Sequence, residues 1–506
     1  MPVLGALIKQ GLKLSQRVKR KEYTPIQHQR TVLKKLLKAS QFTAFGNEYR
    51  FSELLTTKRF VKLFQEQVPV FNYNSMFEKW WHRCLEGEEN VCWNGRVKYF
   101  ALSSGTSESA SKHIPVTREM VRALKKASIR QMMTLVKYDL PASFFEKGIL
   151  WLGGSTDLKN HGYYYEGDVS GISARRVPIW FQKYYKPGKK ISKGKDWNIK
   201  LEVITRRAQE WDIGIITGVP AWVQLLMEKV IAHYNLKTIH DIWPNLQVYA
   251  HGGVSFEPYR KSFEKFFAHP VHYIEMYPAS EGFIAFQTEP DARYMKLILN
   301  NGMFYEFIPF DERNFDSNGE PLKDAQTFLI NEVEENKDYA ILLSTCAGAW
   351  RYLIGDTVRF TSKENAEIVI SGRTKHFLSL VGEHLSVDNM NKAVEKISKD
   401  FNIEIPEYTV AGIQYDGAFA HKWFLGTNVS VDKNILKEKL DSTLKELNDD
   451  YEVERKSALK EIFVELVPSE KFYQFMEEKG KLGGQNKFPR VMKMAQLEEW
   501  ETFLKQ

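Results

Sequence analysis

A run of hydroxyl residues near position 105 has the composition of a phosphate-binding loop. After the mostly apolar stretch 97–102, the residues Ser103-Ser104-Gly105-Thr106-Ser107 are followed a few positions later by the basic residue Lys112. Glycine permits backbone angles that residues with a Cβ resist, and successive N–H groups in such a loop can surround phosphate oxygens. A solvated serine-rich turn has the same composition, so this run alone leaves both interpretations open.

Three more polar turns follow predicted strands in the middle of the chain. They are Thr217-Gly218-Val219-Pro220, His251-Gly252-Gly253 and Tyr277-Pro278-Ala279-Ser280-Glu281-Gly282. In open α/β sheets, ligands bind outside the carboxyl ends of the parallel strands. The three turns therefore predict one ligand site where these strand ends meet.

Alternating helices and strands would position these turns. The apolar periodicity predicts helices at 25–40, 52–67, 76–85 and 119–136. Strands are then predicted at 149–152, 212–217, 246–250 and 271–276, with helices at 221–234 and 258–267. This alternation indicates a parallel sheet covered by helices. The segment 162–195 is rich in Gly, Tyr and Lys and resembles a lid or insertion more than a core.

Beyond Gly282 the pattern changes to strands without helices between them. Strand-like runs at 296–309, 338–344 and 351–358 predict an antiparallel sheet or barrel attached to the α/β core. The polar segment 371–376 contains a glycine and is a candidate domain boundary. We therefore expect an α/β protein with a large N-terminal domain, residues 1–372, and a smaller α+β C-terminal domain, residues 373–506.

Composition narrows the class of protein. The 506 residues suggest several domains, and the formal charge of +8 is spread along the chain among acidic residues, which does not indicate nucleic-acid binding. No apolar run approaches the length of a membrane span, and the three cysteines match no metal-site spacing. We expect a soluble, cytoplasmic protein with no membrane or nucleic-acid partner; its oligomeric state stays open.

Six stretches together resemble the Gretchen-Hagen-three family of acyl-acid amido synthetases, which belongs to the adenylate-forming enzymes. They are the run at 103–107, Tyr277-Pro-Ala-Ser-Glu281, Met303-Phe-Tyr-Glu-Phe-Ile-Pro309, Tyr352-Leu-Ile-Gly-Asp356, Gly372-Arg373 and Gln485-Asn-Lys487-Phe-Pro-Arg490. Each stretch is weak alone, but their order and spacing are specific. The resemblance covers nearly the whole chain.

The resemblance implies a reaction in two steps that uses ATP and Mg²⁺. The carboxylate of an acyl acid first attacks the α-phosphorus of ATP, which gives an acyl-adenylate and pyrophosphate. An amine, usually that of an amino acid, then displaces AMP and forms an amide. The family also implies a large adenylate-forming domain with a small mobile domain behind it.

Nucleotide-binding roles also follow from the resemblance. Ser103, Ser104, Gly105, Thr106 and Ser107 would hold the β- and γ-phosphates, with Lys112 nearby. Glu281 would hold Mg²⁺, which prefers carboxylate oxygen; an ordinary helix N-terminal acid after Ser280 is the alternative. Ser280 is grouped with the nucleotide-binding residues, Tyr277 would stack on the adenine, and Gly253 would let the ring approach the backbone.

The remaining implied roles lie closer to the C-terminus. Asp356 would accept hydrogen bonds from both ribose hydroxyls, and Arg373 would reach the ribose or act at the hinge, although a surface salt bridge is an alternative. Lys487 would enter the active site from the small domain and contact the α-phosphate and the acyl carboxylate during adenylation. We therefore assign Lys487 and Glu281 as catalytic residues.

The sequence departs from the family pattern at three positions. Ser109 replaces a usual glycine, Glu108 adds a negative charge beside the predicted phosphate site, and Phe488 stands where a small polar residue is more familiar. Glu108 and Ser109 leave a catalytically silent nucleotide-binding protein open, and an acyl-CoA ligase, which shares the first step, is a second alternative. The sequence argues against a P-loop NTPase, because no Gly-x4-Gly-Lys-Ser/Thr signature occurs.

The acyl acid itself is not identified by the sequence. The helix at 119–136, the tyrosines at 163–165 and Trp222 are candidate lining residues, and an aromatic lining suits a hydrophobic or aromatic acid. The same residues can equally belong to the core.

Overall fold

A layer of helices precedes the first strand. The computed structural model describes residues 3–17, 23–103, 112–175, 177, 181–316, 319–374, 377, 378, 380, 383, 385–416, 418–456, 459–483 and 487–505. Its first helices are α1 (Val3–Arg17), α2 (Pro25–Ser40), α3 (Ala44–Glu48), α4 (Phe51–Leu54), α5 (Phe60–Gln67), α6 (Tyr73–Met76) and α7 (His82–Leu85). A π-helical turn, Phe77–Trp81, joins α6 to α7.

The single helix predicted at 52–67 is wrong, because the chain forms two helices, α4 and α5, with a turn between them. In this turn the Thr56 hydroxyl donates to Glu53 O (2.7 Å), and the Thr57 hydroxyl accepts from Arg59 N (3.2 Å). Threonine side chains that bond to nearby backbone groups compete with helical hydrogen bonds. The helices predicted at 25–40 and 76–85 are present.

Strands dominate the region up to Arg373. They are β1 (Tyr99–Ser103), β2 (Lys112–Val116), β3 (Gly148–Leu152), β4 (Lys159–Asn160), β5 (Tyr165–Gly167), β6 (Tyr185–Lys186), β7 (Ile213–Gly218), β8 (Val248–Gly252), β9 (His272–Ala279), β10 (Gly282–Phe286), β11 (Met295–Leu297), β12 (Met303–Pro309), β13 (Asp338–Thr345), β14 (Tyr352–Ser362) and β15 (Glu367–Arg373). The helices among them are α8 (Arg118–Thr134), α9 (Val169–Ala174), α10 (Lys189–Ser192), α11 (Trp197–Arg206), α12 (Pro220–Tyr234) and α13 (Glu257–Lys265).

One sheet of eleven strands contains both the parallel and the antiparallel part. Its order is β12-β13-β14-β15-β11-β10-β9-β8-β7-β3-β6. The strands from β6 to β9 are parallel, and the pairs beyond β9 are antiparallel. The antiparallel sheet expected beyond Gly282 is therefore present, and it is attached to the α/β core as a continuation of the parallel sheet through β9 and not as a barrel.

A second sheet of four strands carries the hydroxyl run. Its order is β2-β1-β5-β4, and Ser103 on β1 lies opposite Lys112 on β2. The residues that flank the run are therefore neighbours. The segment predicted as a lid contributes β5 to this sheet and β6 to the large one, so it is part of the core architecture.

The C-terminal domain has its own sheet. A hairpin, β16 (Phe377–Leu378) and β17 (Leu385–Ser386), leads into α14 (Val387–Asp400). It is followed by β18 (Glu407–Tyr415), β19 (Ala418–Gly426), α15 (Lys433–Leu447), α16 (Asp449–Lys456), β20 (Leu459–Val467), α17 (Ser469–Glu478), β21 (Val491–Met492) and α18 (Met494–Leu504). The strand order is β20-β19-β18-β21, which agrees with the α+β domain expected from the sequence.

This domain packs against α11, α12 and α13 of the larger one. Buried apolar side chains of both domains form one continuous cluster, in which the rings of Trp222 on α12 and Tyr473 on α17 lie 6.3 Å apart. Burial of apolar surface is the main favourable contribution to such packing. Among the described residues, no helix has the length and apolar character needed to cross a membrane.

Candidate active site

The carboxyl ends of β7, β8 and β9 lie side by side, as the sequence predicts. Gly218 pairs with His251, and Gly252 pairs with Met276. β9 is also the strand at which the sheet changes from parallel to antiparallel. Ligand sites in open α/β sheets occur at such a change of direction.

Tyr277, Asp356 and Arg373 form one hydrogen-bonded group at this edge. The Tyr277 hydroxyl donates to Asp356 Oδ2 at 2.5 Å, and Arg373 Nε lies 2.9 Å from Asp356 Oδ1. Asp356 and Arg373 face each other across β14 and β15. Arg373 is 48% exposed, and its salt bridge with Asp356 lies at the same sheet edge as Tyr277. Burial, with the charge of Asp356, raises the pKa of Tyr277, so its phenol stays a donor.

Glu281 lies at the tip of the hairpin that joins β9 to β10. Ala279 pairs with Gly282, so Ser280 and Glu281 are the two buried turn residues and no helix follows them. The alternative of a helix N-terminal acid is therefore wrong. Burial, helped by the charge of Asp356, raises the pKa of Glu281 to about 7 against the opposing effects of its own N–H, Lys112 and Arg373.

Lys112 extends toward the same edge from β2. Its ammonium lies 5.4 Å from the ring centre of Tyr73. Its positive charge partly offsets the rise that burial causes in the pKa of Glu281. Ser103 ends β1 opposite Lys112. Ser104, Gly105, Thr106 and Ser107, with Glu108 and Ser109, lie outside the described residues, so their roles stay predictions.

The C-terminal domain places Lys487 over the end of β8. Its ammonium donates a hydrogen bond to the carbonyl oxygen of Gly253, whose φ of +91° suits glycine. Lys487 is an exposed residue as a whole, and its ammonium lies at the boundary between the two domains. There burial, Arg373 and Arg490 lower the pKa of Lys487 to about 8 while Asp356 opposes them.

Phe488 holds the segment before Arg490 against the C-terminal domain. Its ring is buried and lies 4.7 Å from the ring of Phe472 and 5.1 Å from that of Trp500. The aromatic residue therefore anchors the backbone next to Lys487 in the C-terminal domain. The departure from the family pattern at this position has a packing role.

The residues predicted to line an acyl pocket are separated in the structure. Trp222 is almost fully buried between the two domains, whereas Tyr163 is 61% exposed. The helix α8 does approach the site, because Met120 Sδ lies 3.4 Å from the position of a Cβ at Gly282. Helix α8 thus lies beside the hairpin that carries Glu281, and Trp222 lines a cavity together with Lys487.

A cluster around Glu166 links β2 to the β4–β5 hairpin and was not predicted from the sequence. Nε2 of His161 and Nε2 of His113 lie 2.8 and 3.1 Å from its carboxylate, and Lys159 Nζ lies at 3.2 Å. Burial alone would raise the pKa of Glu166, but these hydrogen bonds outweigh it and lower the pKa. Because His113 follows Lys112, the cluster fixes β2 against β5.

The described residues contain no group of three or more His, Cys, Asp or Glu side chains suited to a metal ion. Mg²⁺ bound to a nucleotide takes only one or two protein carboxylates and completes its shell with phosphate oxygens and water. Glu281 has a buried carboxyl group, and burial is the main reason why its pKa is raised to about 7. A single carboxylate of this kind fits a nucleotide-bound Mg²⁺ and not a metal held by protein alone.

Comparison with known proteins finds matches along most of the chain. Family models match at residues 14–208 and 155–271 ("GH3 family N-terminal domain"), 296–372 ("GH3 family central domain") and 388–496 ("GH3 family C-terminal domain"). Four of the six stretches identified above lie within these regions; the Tyr277 turn lies between two matched segments, and Gly372-Arg373 lies at the end of the central one, with Arg373 just beyond it.

Curated relatives match over shorter segments. The chain is 26% identical over 182 residues to indole-3-acetic acid-amido synthetase GH3.2 of Arabidopsis thaliana, which is 34% of this chain and 33% of that protein. It is 27% identical over 184 residues to jasmonoyl–L-amino acid synthetase GH3.5 of Oryza sativa subsp. japonica. This match covers 34% of this chain and 32% of that protein. The matched segment therefore spans about a third of the length of these relatives.

The fold agrees over the whole molecule. The structure of the GH3.15 acyl acid amido synthetase superposes with a TM-score of 0.79 at 16% identity, over 98% of this chain and 96% of the other. This confirms the fold class expected from the resemblance, a large α/β domain followed by a smaller one. With the family models matching more than half of its length, the chain belongs to the GH3 family.

Proposed function

We propose that the protein is an ATP-dependent acyl-acid amido synthetase that joins a carboxylic acid to an amino acid through an acyl-adenylate. The observation that carries the proposal is the meeting of Glu281, the Tyr277–Asp356–Arg373 group and Lys487 at the carboxyl ends of β8 and β9. The substrate classes rest on the two curated relatives, one acting on indole-3-acetic acid and one joining a jasmonoyl group to an L-amino acid.

In the first step an oxygen of the acid's carboxylate forms a bond to the α-phosphorus, and the bond from this phosphorus to pyrophosphate breaks. Negative charge on the phosphate oxygens must be met by groups already in place. Lys487 supplies a positive charge beside Gly253, and Lys112 supplies another beside Glu281. Ser103, Ser104, Gly105, Thr106 and Ser107 are proposed to orient the pyrophosphate.

Nucleotide recognition is assigned to the β9 edge. Asp356 would accept hydrogen bonds from the ribose hydroxyls, Tyr277 and Gly253 would contact the adenine, and Ser280 would lie beside the phosphates. Glu281 is the residue that would hold Mg²⁺. When bound, this ion neutralises charge on the phosphates and on the departing pyrophosphate.

In the second step the amine attacks the acyl carbon, and the bond between this carbon and AMP breaks. Lys487 occupies the space above Gly253, so it has to withdraw before the amine can enter. We propose that residues 373–506 rotate as a mobile unit on residues 1–372, with Arg373 at the hinge. We also propose a cytoplasmic location, supported by three buried cysteines that are all free thiols.

The test is a screen of carboxylic acids crossed with amino acids in the presence of ATP and Mg²⁺. Pyrophosphate release reports the first step, and mass spectrometry identifies an amide. A parallel arm offers CoA as the acceptor, and formation of a thioester without an amide would contradict the proposal. ATP binding without pyrophosphate release from any acid would instead identify a silent nucleotide-binding protein.

Adenylation is expected to lose rate as the pH rises through about 8. The ammonium form of Lys487 stabilises the transition state, and its pKa is lowered to about 8, so the group loses its charge above that pH. The kcat/KM for ATP in ATP–pyrophosphate exchange reports the pKa values of the free enzyme; measured from pH 6.5 to 9.5, it should fall by about tenfold per pH unit above the pKa. A flat profile up to pH 9.5 would contradict the assignment.

Gly253→Ala is expected to reduce adenylation by about tenfold, because a single displaced catalytic group commonly costs that much or more. A Cβ at this position would lie 3.3 Å from Cε and Nζ of Lys487, and φ of +91° would add backbone strain of about 1–2 kcal/mol. Gly95→Ala is the matched control, since Gly95 has φ of +81° but no heavy atom within 4 Å of its Cβ position. Both variants should lose similar stability in thermal unfolding, and only Gly253→Ala should lose exchange. An equal loss in both would assign the effect to strain alone.

A further inference from the structure

A buried hydrogen bond joins the two domains close to Lys487. Tyr259, on α13 of the large domain, donates from its hydroxyl to Glu407 Oε1 at the start of β18. Tyr259 is 1% exposed and Glu407 is 4% exposed, so water does not compete for this contact. Hydrogen bonds to a carboxylate are among the strong ones, and they are strengthened further by burial.

Glu407 is tied within its own domain to the segment that carries Lys487. Arg490 Nη1 lies 2.7 Å from Glu407 Oε2 and also donates to Tyr408 O at 3.1 Å. The carbonyl of Arg490 accepts from Val410 N at 3.0 Å, which aligns β21 with β18. Lys487 is three residues before Arg490, so the position of Glu407 sets the position of Lys487.

We propose that Tyr259 is a positioning residue whose hydrogen bond to Glu407 holds the C-terminal domain in the orientation that brings Lys487 to Gly253. The proposal rests on the adenylation role of Lys487 given above. Rotation of the small domain must break this bond, whereas the pair Glu407–Arg490 moves as one body. The bond therefore stabilises the orientation with Lys487 at Gly253 and not the rotated one. A contact made in only one of two conformations shifts the equilibrium toward that conformation.

Two further observations support this role. Burial and the neighbouring charge of Glu407 raise the pKa of Tyr259, so the phenol remains a donor throughout the physiological range. Among the other polar contacts across this face, Ser262 Oγ donates to Glu404 Oε2 (3.1 Å) in a partly buried bond, whereas Lys261 Nζ to Asn402 Oδ1 (2.6 Å) and Asn198 Nδ2 to Glu477 Oε1 (2.5 Å) are exposed. Exposed polar pairs contribute little, because each group is well solvated when the pair opens.

Tyr259→Phe tests the proposal, because it removes one hydroxyl, keeps the ring and leaves Glu407 paired with Arg490. ATP–pyrophosphate exchange should fall by about tenfold, the size expected from one lost hydrogen bond to a charged group. Aminolysis of a presynthesised acyl-adenylate should be unchanged or faster, since that step uses the other orientation. A merely structural defect would lower both half-reactions together.

The small domain offers a matched control. Tyr451 donates to Asp441 Oδ1 at 2.8 Å, and Asp441 is paired with Arg455 at 2.7 Å, so the chemistry is the same but no domain boundary is crossed. Tyr451→Phe should leave the ratio of the two half-reactions at the wild-type value. A ratio shifted equally in both variants, or wild-type exchange in Tyr259→Phe, would overturn the proposal.

A measurement independent of activity separates this proposal from the proposed function. Small-angle scattering of the wild type and of Tyr259→Phe should show a larger mean radius of gyration in the variant. If the wild type showed no exchange activity but the variant still had the larger radius of gyration, the Tyr259–Glu407 contact would be confirmed as a link between the domains. The adenylation role of Lys487 would then be rejected. Identical scattering, with circular dichroism showing both proteins folded, would reject this link.

Discussion

Lys487→Met is expected to abolish most of the adenylation activity, lowering ATP–pyrophosphate exchange by about 10²–10³-fold, the range found when a group that stabilises transition-state charge is removed. Methionine keeps an unbranched chain of similar length but carries no charge. Lys487 is the cation that the small domain brings to Gly253, and Phe488 anchors its backbone independently of the side chain. The loss should therefore be in the first half-reaction and not in the fold.

Two comparisons make this expectation specific. Lys481→Met changes an exposed lysine in the same connecting segment and should leave exchange unchanged. Aminolysis of a presynthesised acyl-adenylate should stay within about twofold of wild type in Lys487→Met, because in the proposed second step the lysine has withdrawn from the site. Wild-type exchange in this variant would refute the catalytic role, and an equal loss in both half-reactions would indicate a folding defect.

Local patterns along the sequence were sufficient to predict the edge of the sheet at which the site lies. The turns after β7, β8 and β9 each combine a buried strand with glycine or a polar residue, and parallel strands necessarily bring such ends together. Asp356 and Arg373 lie about 80 and about 100 residues after Tyr277 in the sequence, and the structure brings all three side chains together, as the resemblance implied. Their role in nucleotide binding stays a prediction. The pattern around Glu281 was ambiguous, because an acid after a serine also begins helices.

Contacts between distant elements were beyond the reach of these patterns. Nothing in the local sequence pairs Tyr259 with Glu407, which lies 148 residues later, or His113 with Glu166. The continuity of the eleven-stranded sheet depends on the pairing of β9 with β10 and of β11 with β15, and strand periodicity does not encode which strands are neighbours. Trp222 illustrates the same limit, since an aromatic residue near a strand end suits a pocket or a domain interface equally well.

Asp356→Asn is expected to raise the KM for ATP by about 100-fold, with a smaller effect on the maximal rate. Each hydrogen bond to a charged group contributes about 1.5–3 kcal/mol, or roughly 10–100-fold in affinity. The asparagine amide has one acceptor oxygen, so it cannot replace both carboxylate oxygens that now face Tyr277 and Arg373. It also leaves Arg373 without its counter-charge beside Lys487.

The neighbouring strands provide a matched control for this substitution. Asp338 and Arg359 face each other across β13 and β14 with two bonds of 2.9 Å, the same pairing as Asp356 with Arg373 one strand further along. Asp338→Asn should lower stability without changing the KM for ATP.

Calorimetric titration with ATP and with 2′,3′-dideoxy-ATP then isolates the ribose contact. Wild type should bind ATP more tightly, and Asp356→Asn should bind both nucleotides about equally, because the acceptor that distinguishes them is gone. A wild-type preference for ATP in this variant would assign ribose recognition to another residue and leave Asp356 with a structural role in orienting Arg373.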